Sequence, residues 1–319
     1  MNIIVKKTTE LSESEQYKII ALFKAVFLKE RTIEHFRNQF FGTVLGYSYH
    51  SLLYDDDLIV GCLSFVPHYY SISNKTYLSV LALDNMIANE YRGDGFFKDI
   101  FSASIDYLTN EDIVFALIFP NDSAYPLFMF RNPSIHDFGK LSIYALPYRI
   151  GGIKPSLKIL NFLSIFFVNF FVFLTSLFAK SRIHNFPITK DTKTYNKTRY
   201  NQPDGNYIIE ERKGGGFVYK MMNYEGIKAA FLVDAYTKSA KNFNIAVKHI
   251  IKNHYNEFDI LLYVGRLPFR SHGFLKVPQR FAPKNFHFLG QLLKKDVIEA
   301  DLFSDPNNWD INLSNYDLL

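Results

Sequence analysis

The sequence predicts a mixed α/β chain of about two domains joined by a long apolar helix. Three observations carry that expectation. The chain has 319 residues, more than one hydrophobic core usually serves, and 48% of them are hydrophobic. Short strand-like runs alternate with amphipathic stretches along most of the chain. An uncharged apolar stretch, 159–179, separates two such halves. The expected layout is a first domain at 1–150, the apolar helix and a polar linker at 151–205, and a second domain at 206–319.

The elements follow in order. Met1 to Lys7 lacks the long apolar core of a leader peptide and reads as a first strand. Ser12 and Glu15 have capping-box spacing, and Tyr17, Ile20, Leu22, Phe23, Val26 and Phe27 recur behind them at helical spacing. A short helix is predicted over 32–40. Strands at 47–54 and 58–70 flank the acidic turn Asp55-Asp56-Asp57. A largely apolar strand over 77–86 is expected at the centre of a sheet. A loop at 88–95 leads into a helix over 96–108, then a fully apolar strand at 113–119. A helix opens at Pro120-Asn121-Asp122 and ends near Arg131, and a strand covers 140–148. Beyond the polar linker, strands near 207, 216, 229, 258 and 286 and a helix over 239–254 repeat a similar order. Residues 309–319 read as a last strand or tail.

Composition narrows the function. The net charge of +5 is spread along the chain, with no dense Lys/Arg run. That balance suits an anionic small ligand or a lipid surface and excludes a typical nucleic-acid binder. The single cysteine, Cys62, excludes a disulfide framework and fits a reducing, cytoplasmic setting. It lies in an apolar run and reads as a buried strand thiol. His249 and His254 are five apart and fall on different helix faces, so no metal site is expected. His272, beside Gly273, is a candidate contact for a substrate. The stretch 159–179 leaves three readings open: a membrane span, a helix packed between lobes, or an interfacial helix on the inner leaflet.

The chemistry concentrates at 83–108, a strand, a tight loop and a helix. A helix start leaves unpaired N–H groups and partial positive charge. Gly93 and Gly95 allow a sharp turn and close approach, and Arg92 adds a cation. Such a loop suits phosphate oxygens. It has no Gly-Lys-Ser/Thr ending and no third glycine, which excludes the Walker and dinucleotide loops.

The run Tyr91-Arg92-Gly93-Asp94-Gly95-Phe96 resembles the Arg-x-x-Gly-x-Gly/Ala signature of the GNAT N-acyltransferase superfamily. Phe97 departs from the usual small residue. A second block, Phe119-Pro120-Asn121-Asp122-Ser123-Ala124-Tyr125-Pro126-Leu127-Phe128, and the tail from Asn308 to Asp317 are similar to a tandem subgroup associated with bacterial surface polysaccharides. The resemblance implies a GNAT-like first domain and a degenerate GNAT-like second half that lacks the glycine loop. It implies acetyl-CoA or another acyl-CoA as cofactor. Met86 and Ile87 would pair with pantetheine through a splayed strand. Arg92, Gly93, Asp94, Gly95, Phe96 and Phe97 would hold the pyrophosphate, with Asn121 helping from the next junction. The acceptor would be a small-molecule amine, an amino sugar for this subgroup. Asp84 is the candidate base. Phe128 and Met129 stand where the superfamily's acidic Tyr is expected, which leaves Tyr125 as the nearest phenol. Two other classes stay open: a Fem-type aminoacyltransferase acting on a cell-wall precursor, and a non-catalytic, membrane-docked relative.

Overall fold

The computed structural model describes residues 1–130, 132–200, 205–212, 215–236, 238–271 and 273–316. It contains two compact units, each assembled from three stretches of chain. Met1–Lys140, Pro187–Asp204 and Phe286–Trp309 make the first, and Leu141–Phe186, Gly205–Asn285 and Asp310–Leu319 the second.

In the first unit, β1 (Asn2–Lys7) leads to α1 (Glu13–Phe27) and α2 (Ile33–Phe41). The expected capping box is present: Ser12 accepts from Glu15 N–H, and the Glu15 side chain returns to Ser12 N–H at 2.8 Å. Then come β2 (Tyr49–Asp55), β3 (Leu58–Ile72), β4 (Lys75–Ile87), α3 (Phe96–Asn110) and β5 (Ile113–Ile118). A short α4 (Tyr125–Met129) and β6 (His136–Lys140) follow. The eight-stranded sheet has the order β1-β2-β3-β4-β5-β14-β6, with β8 (Ile188–Lys190) beside β3 and β14 (His287–Leu292) between β5 and β6. Strands β4 and β5 are parallel and joined through α3, and their other neighbours in that order are antiparallel. One face packs on α1 and α2 through Ile19, Leu22, Phe36, Cys62 and Met86, the other on α3 through Ile100, Phe101 and Leu108. Trp309 is fully buried, its ring edge-on to Phe115 at 5.3 Å.

The second unit begins with β7 (Ser142–Pro147), α5 (Ile150–Ile153) and the apolar helix α6 (Asn161–Phe178). The polar segment carries α7 (Thr192–Arg199), which belongs to the first unit. Then come β9 (Ile208–Arg212), β10 (Gly215–Tyr224), β11 (Ile227–Ala235), α8 (Ala240–His254), β12 (Ile260–Gly265) and β13 (Leu275–Lys276). The sheet order is β13-β7-β12-β11-β10-β9. Parallel β11 and β12 are joined through α8 and β10 is antiparallel to β11, which repeats the β3-β4-α3-β5 arrangement.

Three sequence expectations differ from this arrangement. The single strand read over 140–148 is two strands in different sheets, with Leu141 between them. The strand near 286 lies in the first sheet rather than the second, so the segments 187–204 and 286–309 return to the unit that the N-terminal part builds. Periodicity assigns a strand its type but says nothing of which edge it joins. The helix from Pro120 shrinks to five residues, after a turn in which Asn121 Oδ1 accepts from Ala124 N–H at 2.8 Å. The tail is a buried irregular segment held by an Asn312–Asn315 capping box, and its end, 317–319, lies outside the described residues, as do Arg131, Gly214 and His272.

Candidate active site

The site grows from a register fault in β4. Cys62 pairs with Met86 and Ser64 with Leu83, so Asp84 and Asn85 together oppose Leu63. This is a β-bulge, and Asp84 sits in it at a left-handed φ of 48°. A non-glycine residue there is strained, and strain of this kind concentrates at functional sites. Its carboxylate accepts from both terminal nitrogens of Arg31, Oδ2 from Nη1 and Oδ1 from Nη2 at 3.2 Å, with both side chains buried. Arg31 in turn lies 3.6 Å over the Phe23 ring. The candidate base therefore has both oxygens occupied by a guanidinium on the chain between α1 and α2.

Past the bulge, β4 loses one neighbour. Its pairing with β5 ends at Ala82 and Ile118, while β4 runs on to Ile87. Ala88 N–H donates to Val60 on the β3 side at 2.8 Å. Strand alternation then turns the Ile87 N–H and C=O away from β3, toward the opened edge. Arg92 Nε caps the Ile87 carbonyl at 3.0 Å. Met86 behaves differently. Its backbone faces the β3 ladder by the same alternation, and its side chain is buried against α1 and α2. Of the two expected pantetheine partners, Ile87 presents its backbone to the open edge and Met86 supports it from behind.

The loop continues from that edge. Tyr91 and Arg92 N–H close a 3-10 turn on Ala88 and Asn89. Gly93 and Gly95 then take φ of 100° and 84°, a conformation that favours glycine. Gly95 caps α3 with no side chain on the helix end. Among the described residues, no protein acceptor bonds the N–H groups of Gly93, Asp94, Gly95, Phe96 or Phe97. A Cβ placed on Gly93 or Gly95 would meet nothing within 4 Å. Five main-chain donors thus stand without a protein acceptor at the positive end of a 15-residue helix, beside the open space at Gly93 and Gly95. This combination fits a pyrophosphate. Phe97 explains its departure from a small residue: its ring packs edge-on to Phe128 at 4.9 Å, holding α4 against α3.

The neighbouring junction supplies the rest. Asn121 spends its oxygen on Ala124 N–H and Ser123 Oγ, both at 2.8 Å, which leaves its amide nitrogen as the group that can reach a ligand. Tyr125 donates its hydroxyl to Asp137 at 2.6 Å, and its ring stacks on His287 at 4.1 Å. The hydrogen bond to Asp137 raises the phenol's pKa above its ordinary value. Its proton is committed to a carboxylate. Cys62 is buried in β3, and burial pushes its thiol up to about 12, which makes it a poor nucleophile.

Two residues escaped the sequence reading. Arg31 pairs with Asp84 across 53 positions, and nothing local signals it. Asp55, read as part of an acidic turn, accepts from the Tyr91 hydroxyl at 2.6 Å and ties the glycine loop to the end of β2. Among the described residues, the second unit offers no equivalent loop. There α8 is capped by Ser239, whose hydroxyl accepts from Asn242 N–H at 3.2 Å. Lys238 beside it is buried. Burial opposes its charge, but Asp310 and Asp234 outweigh burial and raise its pKa.

Known proteins share the domain and the fold. Residues 7–129 match the family model described as an acetyltransferase (GNAT) domain. No curated protein matches the chain by sequence. Among solved structures, a conserved protein from Enterococcus faecalis described as a probable N-acyltransferase is similar at TM-score 0.60 and 12% identity, covering 92% of this chain and 73% of that one. A GCN5-related N-acetyltransferase from Anabaena variabilis is similar at TM-score 0.57 and 12% identity, covering 91% and 73%. A third, from Kribbella flavida, gives TM-score 0.55 and 10% identity over 90% and 71%. At such identities the structures speak for the fold, and they do so over both halves of the chain. Residues 7–129 thus match an acetyltransferase (GNAT) domain, and the chain shares the fold of these solved structures over both halves.

Proposed function

We propose that the chain transfers an acyl group, acetyl in the simplest case, from coenzyme A to the amine of a small acceptor. The observation that carries this reading is the run of five unpaired amides, Gly93 to Phe97, beginning six residues beyond Ile87 at the open edge of β4. Bound coenzyme A would lay its pyrophosphate on those amides. Its pantetheine would run along the edge that ends at Ile87, sharing or displacing the Arg92 contact. Asn121 would donate its amide nitrogen from the far side. A Fem-type enzyme, which uses aminoacyl-tRNA, has no need of such a loop.

The chemistry asks little of side chains. The amine attacks the thioester carbonyl, and a strand N–H beside the opened edge stabilises the developing oxyanion. Orientation supplies much of the rate. Asp84 is the carboxylate in place to take the amine proton, once Arg31 yields one of its two bonds. A thiolate leaves readily, so proton delivery from Tyr125 is a secondary contribution. The acceptor class proposed from the subgroup resemblance is an amino sugar.

The test is release of free thiol from acetyl-CoA with a panel of amines that includes amino sugars. Wild type is expected to release thiol with at least one amine. Gly95→Trp, which fills the open space at the loop, is expected to lose that activity while keeping its helical circular-dichroism signal. Equal turnover by the two proteins would remove the loop from the mechanism.

A further inference from the structure

The apolar helix α6 is the largest feature that acyl transfer does not use. One narrow stripe of it is buried: Val168, Val172 and Thr175 pack inward, and Asn244 of α8 donates to Val172 O at 3.2 Å and to Ser176 Oγ at 2.6 Å. The rest is open. Phe162 is 64% exposed, Phe166 62%, Phe173 54% and Phe178 70%. A contiguous aromatic face of that size on a folded chain marks an interaction site.

Three further observations say what covers it. The helix's polar side chains each make a hydrogen bond within the protein. Ser164 donates to Tyr148 O at 2.9 Å, Asn161 accepts from Gly151 N–H at 2.7 Å, and Asn169, Thr175 and Ser176 each donate to the carbonyl four residues back. The exposed face therefore makes few demands on water. Charge is the second observation. From Ile150 to Lys190 the sequence holds no Asp or Glu, and Lys154, Lys158, Lys180 and Arg182 stand exposed at the two ends of the helix. A second copy of α6 would bring like charges together in either orientation. An anionic surface meets them favourably.

The third observation is anchorage. Before the helix, Tyr148 N–H and Arg149 N–H donate to Asp259 O, and the Arg149 guanidinium donates to Tyr255 O and Asn256. After it, His184 N–H donates to Lys238 O, and Lys241 N–H to Lys180 O. Both ends are thus tied to the same unit, at opposite ends of α8, and the length between them lies along α8. A span would need its two ends on opposite sides of the bilayer, which this anchorage forbids.

We propose that α6 docks the second unit in the plane of a lipid bilayer with anionic headgroups, its phenylalanines in the acyl boundary and its terminal bases at the phosphates. The proposal is independent of the acyltransfer reading, since no α6 residue belongs to the coenzyme site. It is tested by sedimenting the full chain with vesicles of phosphatidylcholine, with or without phosphatidylglycerol. The expected result is binding to the anionic vesicles, at least about tenfold weaker binding to the neutral ones, and release by alkaline carbonate. The triple variant Phe162→Ser, Phe166→Ser, Phe173→Ser is expected to lose binding while keeping its thermal transition. Lys158→Gln with Lys180→Gln is expected to lower only the anionic preference. Retention after carbonate, an α6-dependent dimer that ignores vesicles, or unchanged binding by the triple variant would each overturn the proposal.

Discussion

At the scale of the residue, the pairing of Asp84 with Arg31 sets the terms for the base. Both side chains are buried, so each relies on the other for its charge. Asp84→Asn is expected to cost about 3–5 kcal/mol of stability, because it strands the Arg31 guanidinium away from water. The double variant Arg31→Gln, Asp84→Asn is expected to recover most of that loss in denaturant unfolding. Activity separates the roles. If Asp84 takes the amine proton, the double variant folds but loses about two orders of magnitude in kcat. If the pair only fixes the bulge, kcat stays within about tenfold of wild type. Sequence reading reached Asp84 through its place before Met86, and could not reach Arg31. An ion pair between residues 53 apart leaves no local pattern, and the left-handed φ of Asp84 has no glycine or asparagine to announce it. The glycines at 93 and 95 were legible for the opposite reason: their residue type is the signal of the conformation they adopt.

At the scale of the element, the first sheet stores a pH dependence. His50 of β2 bridges Thr8 Oγ1 at 3.0 Å and Ser64 Oγ at 2.9 Å, and His68 of β3 lies against the Tyr195 ring. Burial, aided by the charge of Arg31 near His50 and of Arg199 and Lys190 near His68, pushes both imidazoles down to about 3. The folded state therefore keeps them neutral where the unfolded chain takes up a proton, below about pH 6.5. Because the unfolded state binds more protons there, stability falls as pH falls from about 6.5 toward 3. Each histidine is expected to contribute about 1.4 kcal/mol per pH unit in that window, read from urea unfolding at stepped pH. Glu15 acts in the same direction at lower pH: burial opposes its charge, but Lys6, Tyr54 and Ser12 outweigh that and hold it down at about 2. His50→Gln is expected to remove one histidine's share of the slope, and an unchanged slope would contradict the assignment. Type and order of elements were largely legible, since the apolar periods of α1, α3 and β5 and the Ser12 cap are local. Strand partners were not. Nothing in Ser142 to Pro147 or His287 to Leu292 says which sheet each will join, because both are apolar runs that fit either core.

At the scale of the whole molecule, the two units share a strand-helix-strand plan and differ at the start of its helix. In the first, a glycine caps α3 and leaves its N–H groups open. In the second, Ser239 caps α8 with its own hydroxyl, and Lys238 is locked between Asp234 and Asp310. The same backbone plan leaves the helix start open in one unit and closes it in the other. The absence of the glycine loop from the second half was readable in the sequence. The network that closes it was not, since it draws Asp310 from a tail 72 residues beyond Lys238.

The most direct test is calorimetric titration of acetyl-CoA into the full chain and into Gly95→Trp. One site per chain in the micromolar range is expected for wild type, with no measurable heat for the variant. Equal binding by both proteins, or two sites in wild type, would contradict the account.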